Sequence, residues 1–157
     1  MARWEEIAAA EPEFAARVQA LFDAHKHKVL ATLRKDGSPR VSGIEADFKD
    51  GDVWMGSSPV ARKAIDLARD PRLALHCTPE DPPADPMTWP GDAKLAGHAV
   101  LVDDPEHLQS MGEDVKGAVF YRIDITEVVL TGVGDPPDHL RVEVWTPDEG
   151  LRELRGG

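Results

Sequence analysis

The chain has one cysteine, Cys77, so it has no partner for an intrachain disulfide and too few thiols for a cysteine-based metal centre. No apolar run approaches the roughly 18 residues that would cross a bilayer as a helix, and Met1 to Ala10 lacks the basic-then-apolar order of an export signal. These absences give the expectation of a soluble, cytoplasmic protein in a reducing compartment. Cations are also scarce, 18 Lys plus Arg against 29 Asp plus Glu, for a formal net charge of −11. Such a surface repels polyanions, so neither nucleic acid nor an anionic membrane is expected as a partner. A single anion is different, because charges beyond about 8 Å are screened in physiological salt and nearby donors decide. With 157 residues and no linker or internal repeat, the chain reads as one domain over 1–157.

Familiar catalytic motifs are missing as well. Gly132-Val133-Gly134 lacks the third glycine and the following helix of a dinucleotide loop, and Gly56-Ser57-Ser58 lacks the spacing of a nucleophile elbow or a Walker loop. No histidine pair has a metal-ligand setting. His25 and His27, two apart near a helix end, point to different faces, and His76 and Cys77, adjacent on a strand, cannot act as base and nucleophile. The carboxylate pairs Asp103–Asp104, Glu113–Asp114 and Asp135 with Asp138 sit beside Pro or Gly in turn-like settings, where solubility accounts for them.

Periodicity supplies the framework. Pro12 followed by Phe14, Val18, Leu21 and Phe22 marks an amphipathic N-terminal helix over about 12–25. Val29 to Leu33 and Arg40 to Phe48 flank an Asp36-Gly37 turn, and Asp50-Gly51 leads into Val53 to Met55, which predicts a three-stranded antiparallel meander. A helix over Val60 to Asp70 stops at Pro71. Leu73 to Cys77 is strand-like and runs into a proline-rich loop, 79–90, whose Met87 and Trp89 suit either a lid over a ring or an anchor to the barrel. Lys94 to Val102, Val119 to Leu130 and Leu140 to Trp145 read as strands, and Pro105 to Met111 as a short helix. The expected fold is mainly β with flanking helices, a small antiparallel barrel of about six strands. Two-residue turns cannot make crossovers, which excludes a doubly wound parallel sheet.

One segment stands apart from the acidic background. Gly56 to Lys63 places Ser57, Ser58, a helix start, Arg62 and Lys63 within eight residues, the donor set that satisfies a phosphate monoester. Ser57 and Ser58 also suit an N-cap, and Pro59 a helix start.

The order of these elements, with Val29–Leu33, Asp36–Arg40 and the run Arg62–Leu75, resembles the pyridoxamine 5'-phosphate oxidase-like flavin and deazaflavin oxidoreductases, whose fold is a split β-barrel. The resemblance implies a homodimer that binds flavin mononucleotide (FMN) in a groove between subunits and moves hydride to or from a small organic substrate. It implies a cofactor phosphate gripped by Arg62 and Lys63, contacted by Ser57 and Ser58 and assisted by Arg40. By the same analogy Lys94 faces the groove, and Trp145, followed by Arg152, approaches the flavin from the partner chain. Where the oxidases carry a lysine for the substrate's phosphate, this chain reads Ile44-Glu45-Ala46-Asp47, which argues against pyridoxamine phosphate as substrate. A deazaflavin coenzyme, with its long anionic tail, asks for more cations, so the acid excess favours FMN. No catalytic residue is singled out; Tyr121, the sole tyrosine, is a candidate proton donor or a core residue. A non-catalytic flavin- or haem-binding barrel is the alternative.

Overall fold

The turns read from the sequence are the joints of the fold. In the computed structural model, which describes residues 1–110 and 117–156, β1 (His27–Leu33) turns into β2 (Pro39–Lys49) at Gly37, whose φ is 86°. The next joint, between β2 and β3 (Asp52–Ser57), is Asp50-Gly51 with φ of 52° and 80°, the left-handed pair a two-residue hairpin loop requires. Helix α3 (Arg62–Arg69), β4 (Arg72–His76), β5 (Asp92–Val102), the short helix α4 (Pro105–Ser110) and the long β6 (Val119–Val133) follow. Met111, the expected end of α4, and the Glu113–Asp114 pair lie outside the described residues.

All pairings are antiparallel, in the order β3-β2-β1-β4-β5-β6, and β3 pairs back onto β6 to close a six-stranded barrel. Closure is uneven. β1 follows β2 along 39–45, whereas β3 pairs with β2 only from Ala46 to Lys49 and then with β6 from Trp54 to Ser57. Among the described residues the first half of β2 therefore has no strand on its other side, and α3 lies over this opening, with Lys63 Nζ donating to Gly43 O at 3.0 Å.

Two strands extend the sheet beyond the barrel, β7 (Leu140–Thr146) on β6 and β8 (Gly150–Gly156) on β7. The sequence reading stopped at β7. Leu151 and Leu154 recur at a spacing of three among charged residues, so β8 carries no two-residue alternation and is held by its backbone ladder instead. It also missed α1 (Trp4–Ala10), which precedes α2 (Pro12–Asp23). Arg3 N–H donates to the Glu6 carboxylate at 2.7 Å at the start of α1, and a bridge between Ala2 and Ile125 ties the terminus to β6. Between the two helices lies Phe48, with the Trp4 ring edge-on at 4.8 Å and the Phe22 ring at 5.3 Å. Among the described residues, no helix is long and apolar enough to cross a membrane.

Inside the barrel the strands bury apolar side chains, among them Leu30, Val53, Leu75, Leu95 and Ile123, each at most 2% exposed. β5 bends at a bulge between Ala96 and Gly97. A Cβ on Gly97 would lie 2.1 Å from Asp124 O, so no side chain fits there, while one on Gly43 meets nothing within 4 Å. Replacing Gly97 by Ala is expected to cost about 1–3 kcal/mol by overpacking against backbone. Gly43→Ala should be nearly neutral; equal denaturation midpoints for the two variants would refute this.

Candidate functional site

α3 and the β1–β2 turn enclose a cleft of about 770 Å³. Arg34 and Lys35 come from the turn, Arg40 from β2, Arg62 and Arg69 from α3, and the only carboxylates in its lining are Asp36 and Asp66. Five cations against two carboxylates make this a positive spot on a chain of net charge −11.

Both carboxylates are already engaged by donors of the chain. Asp66, 2% exposed, accepts Arg40 Nε at 2.7 Å, Thr32 Oγ1 at 2.8 Å and an Arg69 Nη at 3.2 Å. Burial alone would raise its carboxyl pKa, but the hydrogen bonds from Arg40, Thr32 and Arg69 overcome that and hold it below the ordinary carboxyl range. Asp36 is likewise lowered, first by the Ser38 hydroxyl and then by the Ser38 N–H, both of which it accepts. The arginines are fixed in turn: Arg69 also donates to Leu33 O at 2.6 Å and Arg34 to Pro39 O at 3.0 Å. Arg62 differs, because it is exposed and donates to no described residue.

Of the residues chosen from sequence, Arg40 and Arg62 meet at this cleft. Lys63, one position on, points elsewhere and is spent on Gly43 O. The reading of Ser57 and Ser58 as an N-cap is corrected: the residue before α3 is Ala61, no side chain caps the helix, and Ser57 Oγ donates to Ser58 O at 3.0 Å. The helix starts at Arg62 and not Val60 because Ala61 N–H closes a turn onto Ser58 O at 3.1 Å. At Arg62, Lys63 and Ala64 the backbone N–H groups donate to no described residue, as expected of a first turn. Lys94 is exposed on β5 between His76 and Val129 and does not line the cleft. Trp145 is 7% exposed and packs into the core of its own chain.

The sequence reading passed over Asp66, Arg69, Arg34 and Lys35. Only the Asp36-Gly37 turn hinted at them, since a hairpin that starts at Leu33 must bring Arg34 and Lys35 beside Arg40.

A second groove, of about 390 Å³, contains the acidic pair noted on β2: Glu45 and Asp47 lie there with Lys49, Trp54 and Phe120. Glu45 is exposed and has Lys26 Nζ at 3.5 Å. The proline-rich loop leaves β4 at the end of the strands remote from the cleft. It is tied down by His25 on Glu80 and closed by Trp89 Nε1 donating to Glu80 O at 2.8 Å, so it anchors itself and does not cover the cation cleft. Cys77 is buried; burial pushes its thiol up, and its sulfur accepts Ala93 N–H at 3.3 Å.

Comparison with known structures places this architecture among split barrels. PhzG from Burkholderia lata 383, in complex with tetrahydrophenazine-1-carboxylic acid, superposes with a TM-score of 0.68 at 15% identity, over 97% of this chain and 92% of that one. A heme binding protein from Mycobacterium smegmatis gives 0.55 at 18% identity (90% and 86%), and General Stress Protein 26 from Bacillus anthracis str. Sterne gives 0.56 at 11% (88% and 97%). Identities this low establish the fold alone. Among curated proteins none matches the chain. The family model for pyridoxamine 5'-phosphate oxidase matches residues 14–138, most of the chain, and the protein belongs to that family.

Asp66→Asn keeps the side-chain shape but removes the charge that orients Arg40 and Arg69. Because the folded-state pKa of Asp66 is depressed, its contribution to stability is present above the ordinary carboxyl range and is lost as pH falls through the folded value. Urea denaturation of the variant should show a loss of about 1–3 kcal/mol at neutral pH. That deficit should shrink once the pH is below the carboxyl range; a pH-independent difference would contradict the ionised assignment.

Proposed function

We propose that this chain is the protomer of a dimeric split-barrel oxidoreductase that binds a flavin-type cofactor, its phosphate in the Arg40–Arg62 cleft. The observation that carries this reading is the gathering of five cations at one cleft, two of them held by a buried carboxylate, in an otherwise acidic protein. Charge-assisted hydrogen bonds from fixed guanidinium groups suit a phosphate, and their positions are paid for before the ligand arrives. A bound flavin would supply the hydride chemistry. The chain's own task is then to hold and orient it, which agrees with the lack of a nucleophile or acid–base pair among the residues of the cleft.

FMN is the first reading. The cation count supports a second, a deazaflavin coenzyme, since five cations exceed what one phosphate monoester needs and could meet further anions along a tail. For either cofactor the substrate is a small organic molecule, and pyridoxamine phosphate is disfavoured by Glu45 and Asp47 in the neighbouring groove.

Self-association is supported by the outer face of the barrel. Val29 stands opposite Gly43 and His76, and Ala31 opposite Val41 and Ala74, so small apolar side chains run across β4, β1 and β2. Val41 is 70% exposed. A stripe of this kind marks a protein interface more often than a free surface.

Arg62→Ala is the clean test of the cleft, because Arg62 has no structural partner to strand. The variant should fold as the parent does and bind FMN, or the deazaflavin if that is the native ligand, about 10-fold to 150-fold more weakly in a fluorescence titration. Unchanged affinity, or a haem spectrum in the purified protein, would overturn the assignment. Val41→Glu should convert the dimer seen by native mass spectrometry to monomer; a parent protein that is already monomeric refutes the dimer.

A further inference from the structure

α3 has two working faces. Arg62, Ile65, Asp66 and Arg69 look into the cation cleft, while Ala64, Leu67 and Ala68 line a separate hollow of about 360 Å³ against β5 and β6. Across it stand Ala99, Leu101 and Tyr121. We infer that this hollow is a second small-molecule subsite, for an apolar compound of one or two rings carrying one hydrogen-bond acceptor, which the Tyr121 hydroxyl recognises.

Three observations carry the inference. The hollow exists because alanine occupies positions 64, 68 and 99, where larger apolar residues would fill it. Its size and its lining, apolar with one polar group, are those of a small-molecule site. Tyr121 is the decisive element. It is 6% exposed, yet its hydroxyl has no hydrogen-bond partner among the described residues and is not among the sealed, unpartnered polar atoms. Its ring packs in the core while its hydroxyl keeps access to solvent, so a ligand acceptor in the hollow can take the place of water on that O–H. Burial pushes its pKa up, so it keeps its proton and is available as a donor. Leu101, 57% exposed at the rim, would be partly covered by a ligand. Among the described residues no charged side chain lines the hollow, which favours a neutral ligand and separates this subsite from the cation cleft. The inference does not depend on the cofactor reading.

The test compares acetophenone with ethylbenzene, a pair of similar shape of which one has a carbonyl acceptor. Each is titrated into the full-length protein and followed by backbone NMR. Saturable acetophenone shifts at Ala64, Ala68, Ala99 and Leu101 are expected, with ethylbenzene about 2-fold to 12-fold weaker, the worth of one hydrogen bond. Tyr121→Phe should abolish the difference between the two, and Ala68→Phe, at an exposed position on the rim, should abolish binding of both. Arg62→Ala, which tests the cofactor cleft, should leave both titrations unchanged. Absence of saturable binding, shifts that map elsewhere, or a preference for acetophenone that survives Tyr121→Phe would overturn the proposal. So would an Ala68→Phe protein that changes oligomeric state and still binds the probe, because the hollow would then be the seat of a second copy. Should Tyr121→Phe fail to fold, the acetophenone–ethylbenzene comparison on the parent and the Ala68→Phe block still decide.

Discussion

The buried carboxylate of Asp66 holds the working end of this protein together. At the place where β3 has left β2, the barrel has no ladder to close it, and α3 is joined there by side-chain bonds in place of backbone ones. Thr32 of β1, Arg40 of β2 and Arg69 of α3 all donate to Asp66, so one group ties α3 to both strands, alongside the bonds of Lys63 to Gly43 O and Arg69 to Leu33 O. The same bonds orient two arginines toward solvent. Structural closure and the placement of the cleft's arginines thus rest on one ionised group, kept ionised because its donors outweigh its burial.

Charge distribution follows from that arrangement. The excess of acid is spread over surface turns and outer strand faces, while five of the 18 Lys and Arg residues gather at one cleft. Short-range donors fixed by hydrogen bonds prevail there over a distant, screened negative field. The hollow on the other face of the same helix is lined by apolar side chains and Tyr121 of β6, so eight residues of α3 divide two chemically different environments.

Much of the fold could be read locally. Asp36-Gly37 and Asp50-Gly51 dictate hairpins because glycine accepts the positive φ that a tight loop demands, and the meander followed directly. The helical spacing from Phe14 to Phe22 was equally plain. β8 was not, since its leucines lack alternation and its stability lies in pairing with β7, a non-local property. At the site, the Gly56–Lys63 segment was legible as a place for an anion, but the roles within it were not. Neighbouring residues on a helix point about 100° apart, and packing alone decides that Arg62 lines the cleft while Lys63 turns to Gly43 O. Ser57 and Ser58 showed the limit of cap statistics: a turn closed on Ser58 O moved the helix start past both. Asp66 gave no signal, because an aspartate in a helix next to a leucine reads as solvated surface until the strand beneath it is known.

By itself, then, the sequence determined the antiparallel hairpins, the barrel class, the family and part of the cation-lined cleft, all consequences of turn chemistry, hydrophobic period and residue order. Tertiary structure decided which cations converge, which carboxylate positions them, and that Trp145 packs inward. Those outcomes depend on how α3 lies across the open side of β2, a contact between residues more than twenty positions apart whose bonds involve buried polar groups. Local propensity carries no record of such pairings.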